Sequence, residues 1–168
     1  MILYHGSYTE VQNPQILFGR KNLDFGPGFY LTKLEQQAEK WAKVVAGRKG
    51  PYAKSYLNRY LFDEEAMVAF DYRVKRFDKY DLEWLDYVVD CRKGGTLHQQ
   101  FDVVEGGVAN DNVIDTVEDY EKGYITAEQA LGQLRYKNVN HQICILHQGI
   151  LDKFLRFEGC EIFEPEGD

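Results

Sequence analysis

The apolar positions of this chain change period repeatedly, and each change marks an element. Met1 to Tyr4 is a short apolar run, and Phe29 to Thr32, introduced by Gly28, is a second, so both read as brief strands. Leu34, Ala38, Trp41, Ala42 and Val45 then recur at helical spacing, with Glu35, Glu39, Lys40 and Lys43 on the other side. This predicts a helix ending near Gly47, with Trp41 in its buried stripe. After Gly50-Pro51, Tyr56, Asn58, Tyr60 and Phe62 alternate with Leu57, Arg59 and Leu61, which predicts a strand, and Phe70 to Phe77 reads as another. Asp81 caps a helix with the stripe Leu82, Leu85, Val88 and Val89, which Gly94-Gly95 ends.

Phe101 to Val104 is a short strand ended by Gly106-Gly107. Helices follow near 113–122 and 127–136, the second opened by Thr126 and Gln129 at capping-box spacing. A strand from Gln142 to Leu146, a short helix containing Leu151, Phe154 and Leu155, and a strand near Cys160 to Phe163 complete the pattern. Strands and helices do not alternate regularly, which argues against a doubly wound parallel sheet. The pattern predicts an α+β fold with a split, mostly antiparallel β-sheet core flanked by helices. With 168 residues, 44% of them apolar, and no linker or repeat, the chain reads as one domain over residues 1–168.

Charge divides this picture in two. The net charge is −7, yet residues 1–60 carry nine Lys or Arg against four Asp or Glu, while the remainder carries eleven against twenty-three. The total argues against non-specific binding to nucleic acid, which draws on clustered cations. The basic first third suits a phosphorylated ligand, and Lys40, Lys43, Arg48 and Lys49 read equally as a solvated helix face. Cys91, Cys144 and Cys160 are odd in number and widely spaced, so neither a disulfide framework nor a zinc site is expected. His98, His141 and His147 lack ligand spacing, and no metal is expected. No run is apolar enough to span a bilayer and no secretory signal is visible, so a cytoplasmic location without membrane contact is expected.

Candidate chemistry concentrates near the N-terminus. His5 sits where a strand ends in a glycine, and its ring could donate to a ribose hydroxyl. Gly6 offers an N–H and a C=O side by side, a pairing that matches a carboxamide such as that of nicotinamide. Asp24-Phe25-Gly26-Pro27-Gly28 is a shaped turn that brings main chain close to a ligand or to a neighbouring strand. Tyr30 and Trp41 serve either as core aromatics or as stacking platforms. Arg20 reads as a pyrophosphate ligand or as an ordinary exposed loop residue. Ser7 lacks the strand elbow and the His-Asp pair of a hydrolytic nucleophile.

Taken in order, these segments resemble the ADP-ribosyltransferases of the diphtheria-toxin and poly(ADP-ribose) polymerase type, the H-Y-E class. His5, Gly6 and Ser7 match the first motif, and Tyr30 matches the tyrosine that follows a glycine on the second strand. The second ring-stacking tyrosine, eleven residues on, is Trp41, and Ala38 stands where the polymerases carry a serine. The class has a glutamate at the start of a late strand, and the matching strand here offers Gln142. More closely, YHGS, DFGPGFYLT, QAEKWA, ANDN and NHQICIL look like DUF3990, a family of small bacterial proteins placed by its motifs in the same superfamily.

The resemblance implies NAD as co-substrate and an ADP-ribosyltransferase that moves ADP-ribose to a protein or nucleic-acid acceptor. It also implies a toxin or effector role with a cognate antitoxin. His5, Gly6, Ser7, Arg20, Gly28, Tyr30 and Trp41 would bind NAD, with Gln142, His5 and Tyr30 at the reaction centre. Because Gln142 is a neutral amide that cannot act as a general base, the alternative is a non-catalytic NAD or ADP-ribose-binding module. A third reading is an interaction domain that keeps only the fold.

Overall fold

A computed structural model describes residues 1–16, 22–110 and 113–166. It is an α+β fold, with six α-helices and seven strands among the described residues. Strands β1 (Ile2–Ser7), β3 (Ser55–Phe62) and β7 (Leu155–Phe163) form an antiparallel sheet in the order β1-β3-β7. Strands β2 (Phe29–Leu31), β6 (Gln142–Ile145), β5 (Val103–Gly106) and β4 (Val74–Arg76) form a second in the order β2-β6-β5-β4, in which only β4 and β5 run parallel. Among the described residues a single antiparallel bridge, Tyr4 with Thr32, joins the two. The sheet is thus split, and the seam lies between the two segments that the sequence singles out.

Helix α1 (Glu35–Lys49) packs on β1 through Ala38, Ala42 and Ala46. This corrects the expected stripe, because Trp41 and Leu34 are exposed. Gly6 explains the exchange: a Cβ built there would lie 2.2 Å from the Ala38 carbonyl oxygen and 2.7 Å from the Ala42 nitrogen. Helix and strand therefore touch backbone to backbone, and only small residues fit on the inner face of α1.

Helix α2 (Glu64–Val68) is short and was not signalled by the pattern. It is capped by Asp63, whose carboxylate accepts the Ala66 N–H. Of the expected 70–77 strand only Val74–Arg76 pairs, alongside Val103–Glu105 of β5. Helix α3 (Leu82–Arg92) starts at the Asp81 cap as predicted, with Trp84, Leu85 and Val88 fully enclosed, although Leu82 faces outward. Helices α4 (Ile114–Glu121) and α5 (Ala127–Leu134) pack on it, and the Thr126/Gln129 capping box forms.

Helix α6 (Gln148–Phe154) ends one residue earlier than expected, because Leu155 already pairs with Phe62 in β7. Strand β7 is longer than expected and bulges at Glu158, where Gly159 adopts φ +155°. Two cores result. One gathers Trp84, Phe25, Tyr87 and Cys144; the other gathers Leu3, Tyr60, Leu31, Ile143 and Ile150.

Candidate functional site

The strand parity of β1 decides what the seam offers. The main chain of Met1 exchanges hydrogen bonds with Phe62 at 2.8 Å in both directions, so odd-numbered positions of β1 turn their N–H and C=O toward β3. Tyr4 instead exchanges bonds with Thr32, at 2.8 and 2.9 Å, so even-numbered positions face β2. One pair further along, the strands separate. Gly6 belongs to the even set, and its N–H and C=O have no hydrogen-bond partner among the described residues. Gly6 is buried, and buried main-chain groups are almost always paired.

His5 spans the opening. Its Nδ1 lies 2.7 Å from the Tyr30 carbonyl oxygen, which can only accept, so Nδ1 carries the proton and Nε2 is left as an acceptor. The ring was expected to be able to donate to a ribose hydroxyl; in this tautomer its open nitrogen, Nε2, can only accept from one. The ring also packs on Phe29, with centroids 4.3 Å apart. Burial, opposed by the bond to the Tyr30 carbonyl, lowers the His5 pKa to about 4. The unfolded chain protonates near 6.5 and the folded chain does not, so the stability tied to this ring is complete above that value and declines as pH falls toward about 4. We expect the His5 ring nitrogens to titrate near 4 in nitrogen-detected NMR; a midpoint near 6.5 would contradict the burial argument.

Tyr30 braces the preceding turn. Its hydroxyl donates to the Gly26 carbonyl at 2.7 Å and accepts the Phe25 N–H at 3.0 Å, and burial pushes its pKa well above the usual value. Gly28 is required because a Cβ there would meet Cys144 Sγ at 2.5 Å and the Ile145 carbonyl oxygen at 2.6 Å. Ser7 Oγ accepts the Thr9 N–H at 3.3 Å, a local contact at the end of β1. Trp41 is 43% exposed, with the Arg48 guanidinium 5.1 Å from its ring centroid. No ring contact joins Tyr30 and Trp41 among the described residues. Arg20 lies outside the described residues.

Tyr30 pairs with Cys144, and side chains alternate along a strand, so Tyr30, Cys144 and Gln142 share one face of the sheet. Gln142 is held there by a residue that sequence reasoning missed. Gln37 of α1 donates through Nε2 to Gln142 Oε1 at 3.2 Å and to the His141 carbonyl at 2.7 Å, and its Oε1 accepts the His141 N–H. This occupies an acceptor of Gln142 and leaves its NH₂ to donate. A glutamine on a polar helix face carries no distinctive sequence signal, so only the fold exposes this clamp.

The second missed group is a charged cluster on the opposite face. Glu105, paired with Ile143, accepts from His141 Nε2 at 2.9 Å and Arg76 Nε at 3.1 Å, with Lys33 Nζ 3.4 Å away. The His141 hydrogen bond, with Lys33 and Arg76, lowers the Glu105 pKa to about 2. His141 Nδ1 in turn accepts the Lys33 N–H at 3.1 Å, tying β2, β5 and β6 together. A cavity of about 350 Å³ opens beside this cluster. Glu105 is committed to these partners and lies across the sheet from Gln142, so it does not replace the glutamate of the H-Y-E pattern.

The loop after β1 is fixed by Asn58 of β3, which is fully buried. Its Oδ1 accepts the Val11 N–H at 2.9 Å, and its Nδ2 donates to the Thr9 and His5 carbonyls at 3.1 and 3.3 Å. Tyr60 adds a hydrogen bond from its hydroxyl to the Val11 carbonyl. No helix among the described residues is long and apolar enough to cross a membrane. No curated protein and no solved structure matches the chain. The profile of DUF3990, described as a protein of unknown function, matches residues 1–157, and the chain therefore belongs to the DUF3990 family.

Proposed function

We propose that the seam between β1 and β2 binds NAD and that the protein is an ADP-ribosyltransferase. The observation that carries this reading is the buried N–H and C=O of Gly6, facing the seam without a partner among the described residues. A carboxamide supplies one acceptor and one donor in the complementary arrangement, so the nicotinamide amide satisfies both groups at once. His5 Nε2 accepts from a ribose hydroxyl, and the free NH₂ of Gln142 donates to the nicotinamide ribose on the Tyr30 face of the sheet.

In the reaction the bond between ribose C1′ and the nicotinamide nitrogen breaks, and its electron pair leaves with nicotinamide. An acceptor oxygen or nitrogen then bonds to C1′ and releases its proton to solvent. Gln142 orients the ribose without removing a proton, so the acceptor must be nucleophilic by itself.

Calorimetry with NAD tests the binding step. His5→Ala should weaken NAD roughly fivefold, the worth of one hydrogen bond at ~1 kcal/mol. No binding at millimolar NAD, or equal affinity in the variant, would overturn the assignment. The committed Oε1 of Gln142 favours one second reading, an NAD-binding module without turnover, for which binding persists and nicotinamide is not released.

A further inference from the structure

The outer face of α1 presents aromatic rings and cations together, and it begins at Gln142. Gln37, which holds Gln142, is followed on the same stripe of the helix by Trp41 and Arg48. Trp41 is 43% exposed beneath the Arg48 guanidinium. Beside it, Tyr8, also 43% exposed and one residue beyond β1, lies 4.4 Å from Lys49 Nζ. Among the described residues Lys40, Arg48 and Lys49 form no ion pair with a carboxylate, whereas Lys43 is neutralised by Glu39. Tyr52, 89% exposed, follows in the next turn. Helix α1 carries four cations against two glutamates, and among the described residues the acidic C-terminal segment pairs with it at Lys43 alone, through Glu166, so this face is locally basic although the whole protein is not.

We propose that the Trp41–Arg48 and Tyr8–Lys49 pairs form a binding face for single-stranded nucleic acid. Unpaired cations match a phosphate backbone, and the half-exposed rings beneath them match unstacked bases, which a duplex keeps inside, once the cations turn to phosphate. The stripe leads a bound strand toward Gln142. That this strand accepts ADP-ribose rests on the transferase reading; the binding itself does not.

The test uses fluorescein-labelled oligodeoxythymidine and oligouridine, with a duplex as control and no NAD present. Single strands should raise the anisotropy and quench the emission of Trp41, the exposed tryptophan, since Trp84 is fully buried. Affinity should fall steeply with salt. Tyr8→Ala, Arg48→Gln and Lys49→Gln should each weaken binding about fivefold or more, on the scale of ~1 kcal/mol per contact. Circular dichroism checks that these exposed positions leave the fold intact. No binding at low salt, unchanged affinity in all three variants, or binding of polyglutamate in place of the oligonucleotides overturns the proposal. Separate calorimetry with NAD keeps the readings apart: NAD binding without oligonucleotide binding overturns this face alone, and the reverse overturns the NAD seam alone.

Discussion

Gly6→Ala should destabilise the protein by ~3 kcal/mol or more, at or above the usual range for overpacking. The added methyl would sit 2.2 Å from the Ala38 carbonyl oxygen and 2.7 Å from the Ala42 nitrogen. Both are helical main chain and cannot rotate aside, so α1 must move off β1 as a unit. Urea denaturation measures this as a lowered midpoint with an unchanged slope. A midpoint equal to that of the unmodified chain would show that α1 is not seated on Gly6. The same glycine turns its N–H and C=O toward the seam, with no partner among the described residues, so one residue serves packing and the proposed ligand together.

Asn58→Leu should cost ~3 kcal/mol, because it leaves the Val11 N–H and the Thr9 carbonyl without their side-chain partner, at ~1–3 kcal/mol for each group left unpaired, while the His5 carbonyl keeps its ladder bond from the Asn58 N–H. The effect should be local before it is global. Hydrogen exchange should accelerate at Val11 and its neighbours, while β1 and β3 stay protected through their own ladder. Uniform acceleration over both strands would instead place Asn58 in the general core.

How much of this was legible in the sequence depends on the range of the interaction. Asp81 and Thr126 cap their helices through side chains three residues away, so α3 and α5 were readable locally. The extent of β1 was not, because His5, Gly6 and Ser7 are strand residues only by pairing with Asn58, Leu57 and Tyr56. The inner face of α1 includes Ala38 and Ala42 as the pattern predicts, but not Leu34 or Trp41, for a related reason. Hydrophobicity favours Trp41 over Ala38, but the closeness of helix and strand is set by Gly6, which is remote in sequence.

In the candidate site, His5 and Gly6 stood out by type and order, whereas the hydrogen-bonding role of His5 depends on the Tyr30 carbonyl. Gln37 and Glu105 became visible only when the fold brought them beside residues more than 30 positions away.

The most direct test of the account is nicotinamide release from NAD, followed chromatographically for the unmodified protein and Gln142→Ala. The account predicts release by the unmodified protein and a fall of about a hundredfold in the variant, comparable to removing one preorganised donor from a reaction centre. No release by the unmodified protein, or equal rates in the two proteins, would contradict it.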